Sequence, residues 1–196
     1  MEASFDNFVQ QLLCHSLVQQ ELDGSMKKED KNIAVAAQFL LSEGDNKTYF
    51  QFEEDFIEEN IRCIPMIVRF KLDACGIKLK LSEWSKMKEE ERISLAEFVW
   101  DTKEDVQQFR GYLQMVIFIR TGKDATVLPH DNNLAWANSH EIPLLLTEKM
   151  NETNGSISLQ QWKKLSMLRR FALMKLCKPG HENSNFPKAI KEFGLV

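Results

Sequence analysis

The stretch 62-RCIPMIVRFKLDACGIK-78 decides the fold of this chain, because it contains the signals for both ends of one helix. Pro65 suits the first turn, where its missing N–H is not needed, and Gly76 suits the left-handed position just past the last turn. The residues between them are the most apolar of the middle of the chain. We therefore predict a largely buried helix over Ile64–Cys75, on which Arg69 and Asp73, one helical turn apart, can pair.

Helical signals continue on the C-terminal side of this stretch. Helices are predicted over Glu89–Val99 and over about 103–120, and Asp101 or Thr102 can cap the second one before Gly122 ends it. Apolar residues at spacings of three and four give the longer helix one buried stripe. The stripe comprises Val106, Phe109, Leu113, Val116 and Ile117.

The last part of the chain has the same character. Ser158 and Gln161 form a capping box for a helix to about Cys177, and a short helix follows over Pro187–Phe193. Residues 123–157 are predicted to be irregular, since Gly122, Pro129, Pro143 and Gly155 punctuate this part of the chain. The predicted fold is all-α, a compact bundle of about six to eight short helices with an irregular segment at about 123–157.

One short pattern occurs twice in the sequence. Leu79-x-Leu81-x-x-Trp84-x-x-Met87 is echoed by Ile157-x-Leu159-x-x-Trp162-x-x-Leu165, each shortly after a glycine. The echo predicts two similar units in which a turn leads into a helix. So short a pattern does not by itself establish a duplication.

Two parts of the chain differ in character. Residues 3–22 and 32–42 each show one helical stripe, and the polar stretch 43–47 follows them, so we predict an N-terminal helical extension over 1–48 and a helical domain over 49–196. Within the net charge of −4, residues 156–196 are basic and the rest is acidic. The basic C-terminal part is expected to dock onto the acidic body or, alternatively, to contact a negatively charged partner.

The composition limits which class of protein this chain can be. The segment 1–22 contains no Lys or Arg, and the four cysteines form no CxxC pair, so we expect a soluble, cytoplasmic protein with reduced thiols. The longest apolar run, Met115–Ile119, is too short to span a bilayer, so no membrane association is predicted. The acidic balance disfavours nucleic acid, although the basic helix ending near Cys177 keeps it as an alternative.

The chemical motifs sought in the sequence are missing. The four histidines share no helix face, and Cys177-x-x-x-His181 lacks the second ligand pair of a zinc site. Neither a nucleophile elbow nor a phosphate-binding glycine loop occurs. Cys63 could be activated by its neighbour Arg62, but a buried free thiol is the commoner role. We predict no catalytic residue, no metal site and no cofactor.

Six polar residues remain as candidates for a ligand or partner site. They are Arg62, Arg69, Asp73, His181, Glu182 and Asn183. If they converge in one pocket, they predict a small-molecule or cofactor-binding protein, which could be an enzyme. If they are scattered, they are helix caps and ion pairs.

Several longer stretches resemble one protein family. The stretches are Phe52–Phe56, Arg62–Leu79, Arg170–Leu176, Pro179–Phe186 and Lys191–Leu195. Over about residues 49–196 they are similar to the nitrate reductase-associated proteins. The resemblance implies a setting in nitrate assimilation but no reaction, since the activity of that family is not established. Lys88 stands where the family pattern has a serine helix cap.

Function is predicted in two forms. The first is a non-catalytic accessory protein of nitrate assimilation that binds a protein partner, which the resemblance and the lack of reactive motifs favour. The alternative is a small-molecule or cofactor-binding protein that uses the Arg, His and Asp candidates. The oligomeric state and the identity of the partner are left open.

Overall fold

The computed structural model describes residues 49–53, 63–100, 102–129, 134–178 and 184–196. The predicted N-terminal helices over 3–22 and 32–42 lie outside these residues, so the extension over 1–48 stays a prediction. The elements, in chain order, are a 3₁₀ turn Gln51–Glu53, α1 Met66–Cys75, β1 Ile77–Lys78, α2 Leu81–Trp84, α3 Glu89–Glu97, α4 Lys103–Thr121, β2 Thr126–Val127, α5 Leu144–Glu152, α6 Leu159–Lys164, α7 Met167–Leu176 and α8 Phe186–Glu192.

The described residues form a mostly helical fold, which confirms the predicted class. The strands β1 and β2 add one small antiparallel pair, with Ile77 opposite Val127 and Lys78 opposite Thr126. The sequence pattern did not predict this pair. None of the helices in the described residues is long and apolar enough to cross a membrane.

Helix α1 ends at Cys75 as predicted, but it begins at Met66, two residues after the predicted start at Ile64. Pro65 is its N-cap in an extended conformation, and Gly76 follows it with φ +68°, donating its N–H to the carbonyl of Leu72. The N–H of Met66 donates to the Glu53 carboxylate at 2.8 Å, so a side chain from the preceding 3₁₀ turn caps the start of the helix.

Helix α4 also has the predicted cap and buried face. The Thr102 hydroxyl accepts the N–H of Asp105 at 3.1 Å, and the Asp105 carboxylate accepts the N–H of Thr102 at 2.8 Å. Gly122 ends the helix with φ +68°. The buried residues of α4 are Val106, Phe109, Leu113, Val116 and Ile117, as its stripe predicted.

Helix α3 ends at Glu97, slightly before the predicted end at Val99. Phe98 leaves the helical conformation, with φ −52° and ψ +128°. The ammonium group of the buried Lys71 donates to the carbonyls of Leu95, Ala96 and Phe98 at 3.3, 2.7 and 2.8 Å. These carbonyls at the end of the helix are therefore satisfied by a side chain from α1.

The segment predicted as irregular contains a helix. Residues 144–152 form α5, which begins after Pro143 and buries Leu146 and Met150. The neighbouring apolar residues Leu144 and Leu145 are exposed. Because buried and exposed leucines follow one another here, the sequence shows a continuous apolar run and not the spacing of a helix.

The single helix predicted from Ser158 to about Cys177 is wrong, because the structure divides it in two. The capping box at Ser158 and Gln161 is present, but Leu165 is extended, with φ −70° and ψ +140°. Ser166 then caps a new helix, its hydroxyl accepting the N–H of Arg169 at 3.2 Å. A buried arginine, Arg170, fixes the break by donating to the Leu165 carbonyl at 2.7 Å.

The apolar side chains form two core clusters, and α1 contributes to both. Its Met66 and Phe70 pack in the cluster built mainly on α5 to α8. Its Val68 and Leu72 pack in the cluster built mainly on α2, α3 and α4. Ile67 touches both clusters. Helix α1 is therefore the wall that the two cores share.

Candidate functional site

A cleft of about 730 Å³ opens along the side of α1. Its wall includes the start and one face of α1, strand β1, Leu128 after β2, and side chains from α7 and the start of α8. A cleft of this size is in the range that small ligands occupy. The charged side chains around it are Glu53, Arg69, Asp73, Lys78 and Lys175.

Two of the six candidate residues meet in this cleft. The Arg69 Nε atom donates to the Ile64 carbonyl at 2.7 Å, which anchors the arginine beside the start of α1. The Asp73 carboxylate forms a salt bridge with the Lys175 ammonium group at 2.7 Å. Lys175 belongs to the basic C-terminal part, so the predicted docking of that part onto the acidic body has one confirmed contact here.

The other four candidates, Arg62, His181, Glu182 and Asn183, lie outside the described residues. Their membership of the site stays a prediction.

Glu53 is a site residue whose burial its sequence context does not predict. A run of acids begins at Glu53, and such runs are usually interpreted as a solvated helix start, but Glu53 is only 7% exposed. Its carboxylate accepts the N–H groups of Met66 and Phe50 at 2.8 and 3.4 Å. The interpretation was wrong for this residue, because a buried carboxylate at a helix start satisfies backbone donors that water cannot reach.

A second carboxylate holds the same 3₁₀ turn from the other side. Glu192, at the end of α8, accepts the N–H groups of Gln51 and Phe52 at 2.9 and 3.1 Å. Phe52 itself lines the cleft. The C-terminal helix thus positions one wall of the cleft through two backbone hydrogen bonds.

The floor and the edge of the cleft differ in exposure. Leu72, Ile77 and Leu79 are buried and form an apolar floor. Leu81 and Leu128 line the cleft but are 59% and 39% exposed, so the apolar surface continues out to solvent. Large exposed apolar side chains next to a cleft are typical of binding surfaces.

The three thiols that the structure describes differ in environment. Burial raises the pKa of Cys75 to about 12 and that of Cys177 also to about 12, so both are protonated thiols at neutral pH. Cys63 is half-buried and lines the cleft. Among the residues that the structure describes, no three His, Cys, Asp or Glu side chains are grouped as metal ligands.

The geometry defines a class of protein: a small helical protein with an open, apolar cleft edged by paired charges. A family model described as conserved nitrate reductase-associated protein matches residues 49–193. The chain belongs to that family, which confirms the resemblance of the sequence. Searches of curated proteins and of solved structures gave no match.

Proposed function

We propose that this protein is a non-catalytic accessory protein of nitrate assimilation that acts in the cytoplasm by binding another protein. The name of its family points to nitrate reductase as the first partner to test. The observation that carries the proposal is the exposed apolar edge of the cleft, formed by Leu81 and Leu128 at 59% and 39% exposure. Apolar side chains at a protein interface contribute most when a partner covers them completely.

The charges around the cleft support binding in preference to catalysis. Asp73 and Lys175 neutralise each other, and Glu53 accepts backbone hydrogen bonds. Groups that are held in this way position the walls of the cleft, whereas a general base needs a carboxylate or imidazole that can reach a substrate proton.

The test is a binding measurement between the purified full-length protein and nitrate reductase from the same organism. We expect a complex by analytical ultracentrifugation at low salt, and a loss of roughly tenfold in affinity for Leu81→Asp, since a charge would be buried in the interface. The matched control is Leu159→Asp on α6, because Leu159 is also an exposed leucine, at 41%, that opens a short helix.

Two outcomes contradict the proposal. One is that no complex forms with nitrate reductase under gentle salt. The other is that Leu81→Asp and Leu159→Asp weaken the complex equally, because the edge of the cleft would then have no special part in it.

One specific observation favours a second function, the binding of a small molecule. Arg69, Asp73 and Lys175 come together around a cleft of about 730 Å³ whose floor is apolar. Pockets for small ligands combine an apolar surface with a few placed polar groups in this way. Ligand-observed NMR with a library of metabolites tests this function, and a library without any binder would count against it.

A further inference from the structure

The described part of the chain contains one structural unit twice. Three consecutive helices, the first unit, have counterparts in three later helices, the second unit. The first residues of each pair of counterparts are separated by the same number of residues. The pairs are α1 and α5 at Met66 and Leu144, α2 and α6 at Leu81 and Leu159, and α3 and α7 at Glu89 and Met167. The short sequence echo around Trp84 and Trp162 is the centre of this larger correspondence.

The turns that connect the helices also correspond. Pro65 and Pro143, related by the same sequence separation, are the N-caps of α1 and α5, both with φ near −60° and extended ψ. Gly76 has φ +68°, and its counterpart Asn154 has φ +55° as the one non-glycine residue with positive φ in the described residues. Asparagine is one of the few residues that adopt this conformation at low cost.

The same aromatic and cationic pair lies at the centre of each unit. Trp84 and Trp162 are both fully buried. The guanidinium carbon of Arg92 lies 5.7 Å from the Trp84 ring, and that of Arg170 lies 5.7 Å from the Trp162 ring. The two arginines again occupy equivalent positions of the two units, so the helix starts, the turn conformations and the packing all repeat together.

The two units differ where the first one faces the cleft. The counterparts of Arg69, Asp73 and Lys78 are Thr147, Asn151 and Ser156, all three exposed and uncharged. The fold of the unit therefore does not require charges at these positions. The repeated part of the fold therefore does not account for these charges, and all three of them line the cleft.

Among the residues that the structure describes, the charged side chains lining the cleft sum to one positive charge. Of the residues that line it, Glu53 and Asp73 are acidic, whereas Arg69, Lys78 and Lys175 are basic. Asp73 is paired with Lys175, and Glu53 accepts backbone N–H groups. Within the described chain no carboxylate forms a salt bridge with Lys78, which is exposed at the edge. Arg69 is held in place through its Nε atom.

We propose that the cleft binds a small monoanion, a carboxylate on an apolar body, with Arg69 and Lys78 recognising the carboxylate and the Leu72, Ile77 and Leu79 floor taking the body. The proposal rests on the second function given above. A single negative charge would balance the net positive charge of the described lining side chains, whereas a phosphate ester would bring nearly two negative charges. Arginine also presents the planar donors that suit a carboxylate.

The experiment compares three probes that share one apolar chain: octanoate, octan-1-ol and octylammonium. Their binding to the full-length protein is measured by ligand-observed NMR at low salt. We expect octanoate to bind roughly tenfold more tightly than octan-1-ol, since hydrogen bonds to charged groups add this much, and octylammonium to bind most weakly.

The repeat supplies matched variants for the same measurement. Arg69→Thr and Lys78→Ser introduce the residues that the second unit carries at these positions, so both are compatible with the scaffold. Each is expected to reduce octanoate binding several-fold, roughly to the affinity of octan-1-ol, while octan-1-ol binding is unchanged. Thr147→Arg adds a charge to the second unit and is expected to change neither affinity.

Three results would overturn this inference. Equal affinities for octanoate and octan-1-ol refute carboxylate recognition but leave the cleft as a binding site for apolar ligands. Weakened binding of both probes by Arg69→Thr would assign that arginine a structural role instead. If none of the three probes binds, the cleft is no small-molecule site, and the second proposed function fails as well.

Discussion

Lys71→Met tests how a buried ammonium group stabilises the first unit. Lys71 is only 2% exposed, and its Nζ atom lies on the carbonyls of Leu95, Ala96 and Phe98. Burial lowers the pKa of Lys71 from 10.5 to about 8, while the nearby Glu97 carboxylate partly opposes this. The ammonium form therefore predominates at pH 7 but carries a cost for its burial.

Two opposing contributions set the magnitude. The two shortest hydrogen bonds, 2.7 and 2.8 Å, are lost in Lys71→Met, and leaving two buried carbonyls without that donor costs about 4 kcal/mol in all. The variant also avoids burying a charge. The difference between the pKa values of 10.5 and about 8 corresponds to a burial cost of about 3 kcal/mol. We expect the variant to be about 1 kcal/mol less stable than the wild type at pH 7.

The pH dependence has a definite sign. Because the folded pKa of Lys71 lies below the unfolded one, the folded state binds fewer protons between pH 8 and 10.5, and wild-type stability rises with pH across that window. This contribution is lost as the pH falls through about 8. The stability difference between wild type and Lys71→Met should therefore grow to about 3–4 kcal/mol near pH 10.

Urea denaturation followed by far-UV circular dichroism at pH 7, 8, 9 and 10 measures this difference. The matched control is Lys149→Met, because Lys149 occupies the corresponding position of α5 and pairs with the exposed Glu152 at 2.7 Å. Its difference from wild type should be small. A stability difference for Lys71→Met that stays flat or shrinks toward pH 10 would refute the reasoning. The three carbonyls would then stabilise the ammonium form at least as much as burial destabilises it.

The other predictions concern an ion pair, two thiols and a buried arginine. Glu91→Gln should lower the urea midpoint at pH 7, because it breaks the paired hydrogen bonds from Arg120 at 2.7 to 3.1 Å. Burial alone would raise the pKa of Glu91, but hydrogen bonds from Arg120 and a backbone N–H lower it, so the wild-type advantage should fade as the pH falls through the carboxylate range. Cys75 and Cys177, with a pKa of about 12 each, should resist a thiol reagent at pH 8 until urea is added, as counted by mass spectrometry. Arg170→Met should cost about 2–4 kcal/mol of unfolding free energy by the same urea assay, because two backbone carbonyls lose its hydrogen bonds at 2.7 and 3.0 Å.

Local signals in the sequence predicted the elements whose causes are local. Gly76, Thr102 and Gly122 mark helix ends through interactions within a single helical turn, and the structure has all three in the predicted roles. Pro65 lies at the predicted end of α1, but as its N-cap and not within its first turn. The break at Leu165 escaped prediction because a leucine there continues the apolar spacing of the predicted helix. Only the buried arginine that binds its carbonyl reveals the break, and that burial is a tertiary effect.

The polar residues that organise the cleft were harder to predict. Glu53 lies in a run of acids and Lys71 is a charged residue within an apolar helix, and neither context predicts that each is buried on N–H or carbonyl groups of a different element further along the chain. Arg69 and Asp73 were foreseen as site candidates, but the partner that the structure gives Asp73 is Lys175. A contact between the two ends of the domain has no signature in the local spacing of residues.

The position of α1 in two cores has a consequence for folding. Met66 and Phe70 are part of one apolar cluster, while Val68 and Leu72 are part of the other, so neither cluster can be disrupted without exposing a face of the same helix. The domain should therefore melt in a single cooperative transition, even though its chain is built from two repeated halves. The unit is present twice, and the shared helix makes the stabilities of its two copies inseparable.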